Sequence, residues 1–260
     1  MISVVVVYND LVQFDAFLRP SLARQSAVHE VLALDNRDHR YTSAAAALNE
    51  GARRARGDHL FFVHQDVRLE SPSWLDDAEQ LLGRLPDLGI AGVSGARPID
   101  EPPGREVVTC ATYDDPPRPA GTIIDRPVPV ETVDECAFFV PRAVATRLPF
   151  DERTCDGWHL YAVDYALSAA KLGLSAWALP LPLYHRSTGS LIRVMGFSTF
   201  DWAYFRAVRR VMRKHPDRVL LHTTCGRWDA RRSLFVQQFP PDVVWFAWRV
   251  WLRRRLGSSG

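Results

Sequence analysis

The sequence predicts an α/β fold, a mostly parallel sheet with helices on both faces, followed by a helical C-terminal extension. Short β-branched runs alternate with helical periodicity through the first hundred residues, the βαβα order that places crossover helices on a parallel sheet. The runs Val4 to Val7 and Leu60 to Val63 are apolar without alternation, as in strands buried on both faces. Beyond about residue 198 the pattern turns helical and basic.

Taken in order, the periodicity predicts a strand at 2–8, a helix at about 11–24, a strand at 30–35, a helix at about 42–55, a strand at 59–64, a helix at about 73–84 and a strand at 89–94. Residues 98–132 contain eight prolines. Proline lacks the amide donor and clashes with the preceding turn, so a long excursion, read as a β-ribbon on the substrate side, is expected. A strand at 135–140 and a helix from about 142 follow, then a helix from about Trp158 to Lys171 that Gly173 ends. The run 177–185 reads as a last strand interrupted by Pro180 and Pro182.

With 260 residues, 47% of them hydrophobic and 24% charged, the chain has the composition of a globular protein with a sizeable core. Its net charge of +2 hides an asymmetry, because residues 191–260 hold 14 Lys and Arg against 4 Asp and Glu. The reading is therefore a body at 1–190 and a basic, aromatic-rich helical extension at 191–260. Four scattered cysteines form no CxxC pair, which disfavours a Cys-rich zinc site and suits a reducing, cytoplasmic setting. Neither a cleavable leader nor an apolar run of spanning length is read from the sequence.

Three strand ends carry polar residues: Tyr8-Asn9-Asp10, Asp35-Asn36-Arg37 and His64-Gln65-Asp66. In a parallel sheet these ends share the carboxyl edge, where α/β folds bind ligands. Tyr8 offers an aromatic face for a base, Asp35 an acceptor for a base imide, and Asp66 a carboxylate able to hold a divalent cation against a diphosphate. Neither GxGxxG nor GxxxxGK[ST] follows the first strand, which lowers dinucleotide and P-loop readings.

These motifs resemble those of family 2 glycosyltransferases of the GT-A (Rossmann-like) fold. They are most similar to the small subgroup named for a streptomycin-cluster protein, whose hallmark is His-Gln-Asp-Val in place of Asp-x-Asp. The resemblance runs from about Ser3 to about Ser190. It is carried by Val-Val-Val-Val-Tyr-Asn-Asp at 4–10, Leu-Asp-Asn-Arg at 34–37, Leu-Asn-Glu-Gly-Ala-Arg at 48–53 and Phe-Val-His-Gln-Asp-Val at 62–67. Phe-Asp-Glu at 150–152, Trp-His-Leu-Tyr-Ala-Val-Asp-Tyr at 158–165 and Tyr-His-Arg-Ser at 184–187 continue it.

The resemblance implies transfer of a sugar from a nucleotide-diphosphate sugar, most simply a UDP-sugar, to an acceptor hydroxyl with inversion. It implies that Tyr8 and Asp10 flank the donor base, that Asp35 bonds it with Asn36 beside it, and that Asp66 coordinates Mn²⁺ or Mg²⁺. His185 is implied as a second metal ligand or phosphate contact. Asn49 and Arg53 are implied at ribose or phosphate, and Gln65 stands beside the donor. One carboxylate at Asp66 is a poorer cage for a hard cation than two, which leaves metal independence open.

On the acceptor side the family's proton-accepting aspartate falls near Ala162, which cannot accept a proton. Asp164 is the first replacement and His159 the second. Asp134 and Glu135 are expected to bind acceptor hydroxyls or to serve as base, and Trp158 is either core or a sugar-stacking platform. Two further readings stand beside transfer. A nucleotidyltransferase would show a Gly-rich basic loop after the first strand, which is missing, and a catalytically degenerate scaffold would explain Ala162. The basic tail fits solvated arginines on a packed helix, a peripheral contact at the inner membrane face, or an acceptor that is a saccharide, lipid-linked saccharide, small molecule or nucleic acid.

Overall fold

The computed structural model describes residues 1–100, 104–114, 116–186, 191–194, 197–200 and 202–238. The chain opens with β1 (Ile2–Tyr8), α1 (Leu11–Ala16), α2 (Leu18–Ala23), β2 (His29–Asp35), α3 (Ala44–Arg54), β3 (His59–His64), β4 (Val67–Leu69), α4 (Trp74–Leu82) and β5 (Leu88–Gly92). The expected helix over 11–24 is two helices, broken at Phe17. Pro20 explains the break: it would clash with the preceding turn in a continuous helix but is tolerated in the first turn of α2.

The proline-rich excursion is a set of short strands: β6 (Ser94–Ile99), β7 (Gly104–Thr109), β8 (Ala111–Tyr113), β9 (Arg118–Pro119), β10 (Thr122–Ile123), β11 (Val128–Val130) and β12 (Thr132–Val133). The strands β6 and β7 form an antiparallel ribbon. Next come β13 (Ala137–Pro141), α5 (Arg142–Arg147), α6 (Tyr161–Ala170), β14 (Ser175–Ala178) and β15 (Leu183–His185). The helix expected from Trp158 starts three residues later, because Leu160 adopts a left-handed φ of 62° ahead of its first turn. The interrupted strand over 177–185 is two strands in different sheets, since two prolines remove ladder donors between them.

A seven-stranded sheet in the order β11-β14-β5-β13-β3-β1-β2 forms the centre. It is mixed rather than mostly parallel: β1/β2, β1/β3 and β5/β14 are parallel, whereas β3/β13, β5/β13 and β11/β14 are antiparallel. The excursion causes this, returning the chain to the carboxyl edge so that β13 must run backwards. Side chains alternate across the pleat. Val5, Phe62 and Phe138 point into one core with α3 and α6, and Val4, Val6, Phe61 and Phe139 into the other with α1, α2 and α4. Phe61 stacks on Phe139 with ring centroids 4.4 Å apart.

The expectation of a helical extension is corrected too. The backbone forms a hairpin of β16 (Leu191–Val194) and β17 (Phe197–Phe200), then α7 (Trp202–Lys214), a second hairpin of β18 (Leu220–His222) and β19 (Arg227–Asp229), and α8 (Leu234–Gln238). Pro216 stops α7, and Thr223 and Gly226 close the second turn through hydrogen bonds of 3.0 and 3.1 Å. Helix α7 shares the core of α6 through Tyr204, Val208 and Val211. The second basic helix expected over 243–255 and the loose end expected at 258–260 lie outside the described residues. Among the described residues no helix is long and apolar enough to cross a membrane.

Candidate active site

Register brings the three strand ends together. Tyr8 pairs with Asp35, and Val7 with His64, so these termini align on one edge of the sheet. The reversed strand β13 begins where its parallel neighbours end, which delivers Asp134 and Glu135 to the same edge; the His64 amide donates to the Cys136 carbonyl at 2.9 Å. Past that edge β4 leaves the central sheet and pairs antiparallel with β15, with His185 opposite Val67. That pairing carries His185 across 121 residues of sequence to His64.

His64, Asp66 and His185 can each offer one ligand atom within 4.8 Å of one another. His185 Nε2 lies 3.3 Å from Asp66 Oδ1 and 3.4 Å from His64 Nδ1. His64 Nε2 lies 2.9 Å from the Tyr161 hydroxyl, which in turn donates to the Glu135 carbonyl at 3.4 Å. Such an outer partner fixes ring orientation, as hydrogen-bonded metal-site histidines require. Burial, then His185, push the His64 imidazole down to about 4, leaving it neutral and able to ligate at neutral pH. Burial pushes the Asp66 carboxyl up, but the His185 hydrogen bond and the two imidazoles outweigh it and hold it ionised.

The donor chemistry fits a divalent cation. Two imidazole nitrogens and one carboxylate suit a first-row transition ion better than Mg²⁺, which prefers an all-oxygen octahedron.

A cavity of about 440 Å³ opens beside this cluster, lined by residues that include Asn36, His64, Gln65, Asp66, Glu135, Trp158 and Tyr161. Trp158 stands 43% exposed. Burial, then the Asp134 charge, raise Glu135 well above the usual carboxylate range, opposed by the backbone N–H groups of residues 160–162. Its Oε1 has no partner. Burial also pushes Asp134 up, yet the Thr224 hydroxyl at 2.6 Å and the Cys136 amide at 3.0 Å hold it lower.

Other sequence-predicted residues occupy the same edge with their polar atoms engaged. Gln65 Oε1 accepts from the amides of Asn9 and Asp10 at 2.9 and 3.0 Å, and its Nε2 donates to Asn9 Oδ1, clamping the turn after β1. Asp10 caps α1 by accepting from the Gln13 amide at 3.1 Å. Asp35 is held well below the usual range by the Arg37 guanidinium, which also lies over the Tyr8 ring at 5.9 Å. Asn36 braces its loop through both backbone groups of Tyr41.

Nine predicted residues do not line this cavity: Tyr8, Asp10, Asp35, Asp134 and His185 stand on the same edge, and the other four are Asn49, Arg53, His159 and Asp164. Asn49 bonds Phe150 and Glu152, and with Arg53 it lines a separate groove. Asp164 is buried, accepting from Lys214 Nζ at 2.7 Å and facing His215 Nε2 at 2.9 Å. His159 packs edge-on against Tyr204. Sequence reasoning had assigned no role to His64 as a ligand or to Tyr161. The signal for His64 was its place inside the polar cluster that ends β3; Tyr161 gave none, since its hydroxyl reaches His64 only in three dimensions.

The mixed central sheet thus carries an Asp and His cluster beside a cavity at its carboxyl edge. The profile described as "glycosyltransferase like family" matches residues 22–179, more than half of the chain, and the chain belongs to that family. No curated protein is close enough in sequence to match. Residues 1–349 of S. aureus TarS, solved in complex with UDP-GlcNAc, superpose with a TM-score of 0.53 at 14% identity, covering 82% of this chain and 66% of that one. GalNAc-T7 with UDP, GalNAc and Mn²⁺ gives 0.54 at 11% identity, covering 81% and 47%. The mannosyltransferase PcManGT from Pyrobaculum calidifontis, with GDP-Man and Mn²⁺, gives 0.49 at 16% identity, covering 71% and 56%. This chain thus spans about half to two thirds of their lengths, and what it shares with TarS and GalNAc-T7 is the fold.

Proposed function

We propose that this protein moves a sugar from a nucleotide-diphosphate sugar, by preference a UDP-sugar, to an acceptor hydroxyl with inversion, as a member of the His-Gln-Asp-Val subgroup. One observation carries the proposal: His64, Asp66 and His185, drawn from two different sheets, converge beside the cavity of about 440 Å³ at the carboxyl edge. In this reading residues 1–190 form the transferase body and 191–260 an appended unit.

His64, Asp66 and His185 would hold the divalent ion, Mn²⁺ before Mg²⁺ on donor chemistry. When bound, that ion supplies Lewis-acid stabilisation of charge on the departing nucleoside diphosphate. Tyr161 orients His64, and Gln65 sets the turn from which Tyr8 and Asp10 meet the base. Asp35, ionised by Arg37, accepts from the base imide. Trp158 at the rim offers its face to the acceptor.

Glu135 is the proton acceptor in this proposal. Ala162 stands where the resemblance places the family's aspartate, and the Glu135 carboxyl, from the segment just before β13, lies by the start of α6, where the backbone N–H groups of Tyr161 and Ala162 favour its ionised form. A carboxylate is thereby supplied to the helix start from another element. Asp164, filled by Lys214 and His215, serves as an anchor for α7.

The test is thermal unfolding with a panel of nucleotide sugars, with and without Mn²⁺. A ligand at 100 times its dissociation constant adds about 2.7 kcal/mol. The expected result is stabilisation by one UDP-sugar that needs the metal and disappears in Asp66→Ala. Stabilisation that survives both metal removal and that substitution would overturn the assignment.

A further inference from the structure

Helix α7 has two unlike faces. Tyr204, Phe205, Val208, Val211 and Met212 are buried. On the other side Trp202, Arg206, Arg209 and Arg213 recur at steps of four, three and four, which lines them up along the helix. All four are exposed, Trp202 at 61%. Arg210, one position off the line, pairs with Asp156. Among the described residues no carboxylate pairs with Arg206, Arg209 or Arg213.

The stripe continues into a groove of about 580 Å³, where Arg209 and Arg213 face Arg232, Ser233 and Leu234. Among the described residues its one carboxylate, Asp229, is shared by Arg231 and Arg232 at 3.2 and 3.8 Å. Positive charge is thus left over in the groove as well as on the helix. Val236 of α8 adds exposed aliphatic surface at 47%. A solvated arginine face needs no aromatic in line with it, and a protein partner would bring carboxylates to only some of these positions. A sheet of phosphates over a wet apolar boundary matches the whole row.

We infer that the exposed face of α7, with its groove to α8, is a docking surface for an anionic lipid bilayer, guanidiniums against lipid phosphates and Trp202 at the headgroup level. The chain leaves α8 into a sequence that supports this source over a nucleic acid: residues 243–252 hold three Trp, one Phe, three Val and one Leu, followed by Arg253, Arg254 and Arg255. Aliphatic and aromatic area of that kind gains from an acyl boundary and gains little from a phosphate backbone. The inference stands on the tail alone and does not depend on the transferase reading.

Co-sedimentation of the full chain with vesicles decides it. The protein should pellet with vesicles holding about a third phosphatidylglycerol and remain in solution with pure phosphatidylcholine, and high salt should release it. The combined Arg206→Gln, Arg209→Gln and Arg213→Gln variant should partition on the order of a hundredfold more weakly. A control that removes equal charge elsewhere, Arg24→Gln with Arg84→Gln and Arg147→Gln, should bind as the parent does. Trp202→Ala should weaken binding by a smaller factor, a readout that survives if the triple variant misfolds. Equal binding to neutral vesicles, equal loss in the control, no loss in the stripe variant, or capture by an RNA duplex in salt that already strips the vesicles would each overturn it.

Discussion

Asp66 and Asp164 are both shielded carboxylates facing histidines, and they differ in what is left open. Asp164 spends its oxygens on Lys214 and His215, with Asp151 completing the ion cluster at 3.0 Å from Lys214. Asp66 touches one imidazole at 3.3 Å, and it lines a cavity together with the unpartnered Glu135 Oε1. A buried polar group without partners costs stability. A satisfied carboxylate therefore marks an anchor, and carboxylates that open onto a cavity mark a place shaped for something else to bind.

The sharpest way to break that contrast is Asp66→Ala. On the proposed function it lowers turnover by about a thousandfold, the upper range for losing one preorganised electrostatic contact in a transition state, while unfolding without ligand stays close to the parent's. Donor turnover and a melting curve on the same preparation check both halves. A variant that melts early and retains activity would make Asp66 the anchor instead.

Asp164→Ala should do the reverse. Removing one partner of a buried ion cluster costs about 3–5 kcal/mol because the other charges remain uncompensated, so its denaturant midpoint should fall. Metal-dependent donor binding at temperatures where the variant stays folded should persist. Lost donor binding in a well-folded variant would place Asp164 in the chemistry, where sequence reasoning first put it.

Those two carboxylates also mark how far the sequence could be read. The apolar runs of β1, β2 and β3 made the edge bearing Tyr8, Asp35 and Asp66 legible, because periodicity fixes a buried strand and its end. Direction was not legible: the run Ala137–Pro141 is equally apolar read either way, so the antiparallel entry of β13, and with it the delivery of Glu135, emerged only from topology. The salt bridges of Asp164 join residues about fifty positions apart, a separation that no local pattern encodes. His185 was named from its resemblance to the family, but its approach to Asp66 depends on β15 switching sheets. The basic tail read as helical because amphipathic spacing in α7 is strong, while the two hairpins flanking it are too short for alternation to stand out.

Glu135→Gln sharpens the contrast from the cavity side, with an expected loss of about a hundredfold, the lower range for a general base. Only the ionised form accepts a proton, and burial with Asp134 raises its ionisation above the ordinary value. Activity of the parent should therefore climb with pH through that raised value, on a limb displaced upward from the usual carboxylate range. The Gln variant should lose this limb along with the rate. A flat profile shared by both would remove Glu135 from proton transfer.

The smallest effect expected is at Trp158, exposed at the mouth of the same cavity. Its indole is free to lie along a sugar face, and an aromatic contact of this kind is worth about 0.5–1.5 kcal/mol beyond the area it buries. Trp158→Ala should therefore raise the acceptor KM about tenfold at most, with donor-dependent stabilisation and kcat nearly unchanged. Trp158→Phe should recover part of the loss. An equal fall in melting temperature in both variants, with KM unmoved, would return Trp158 to the core.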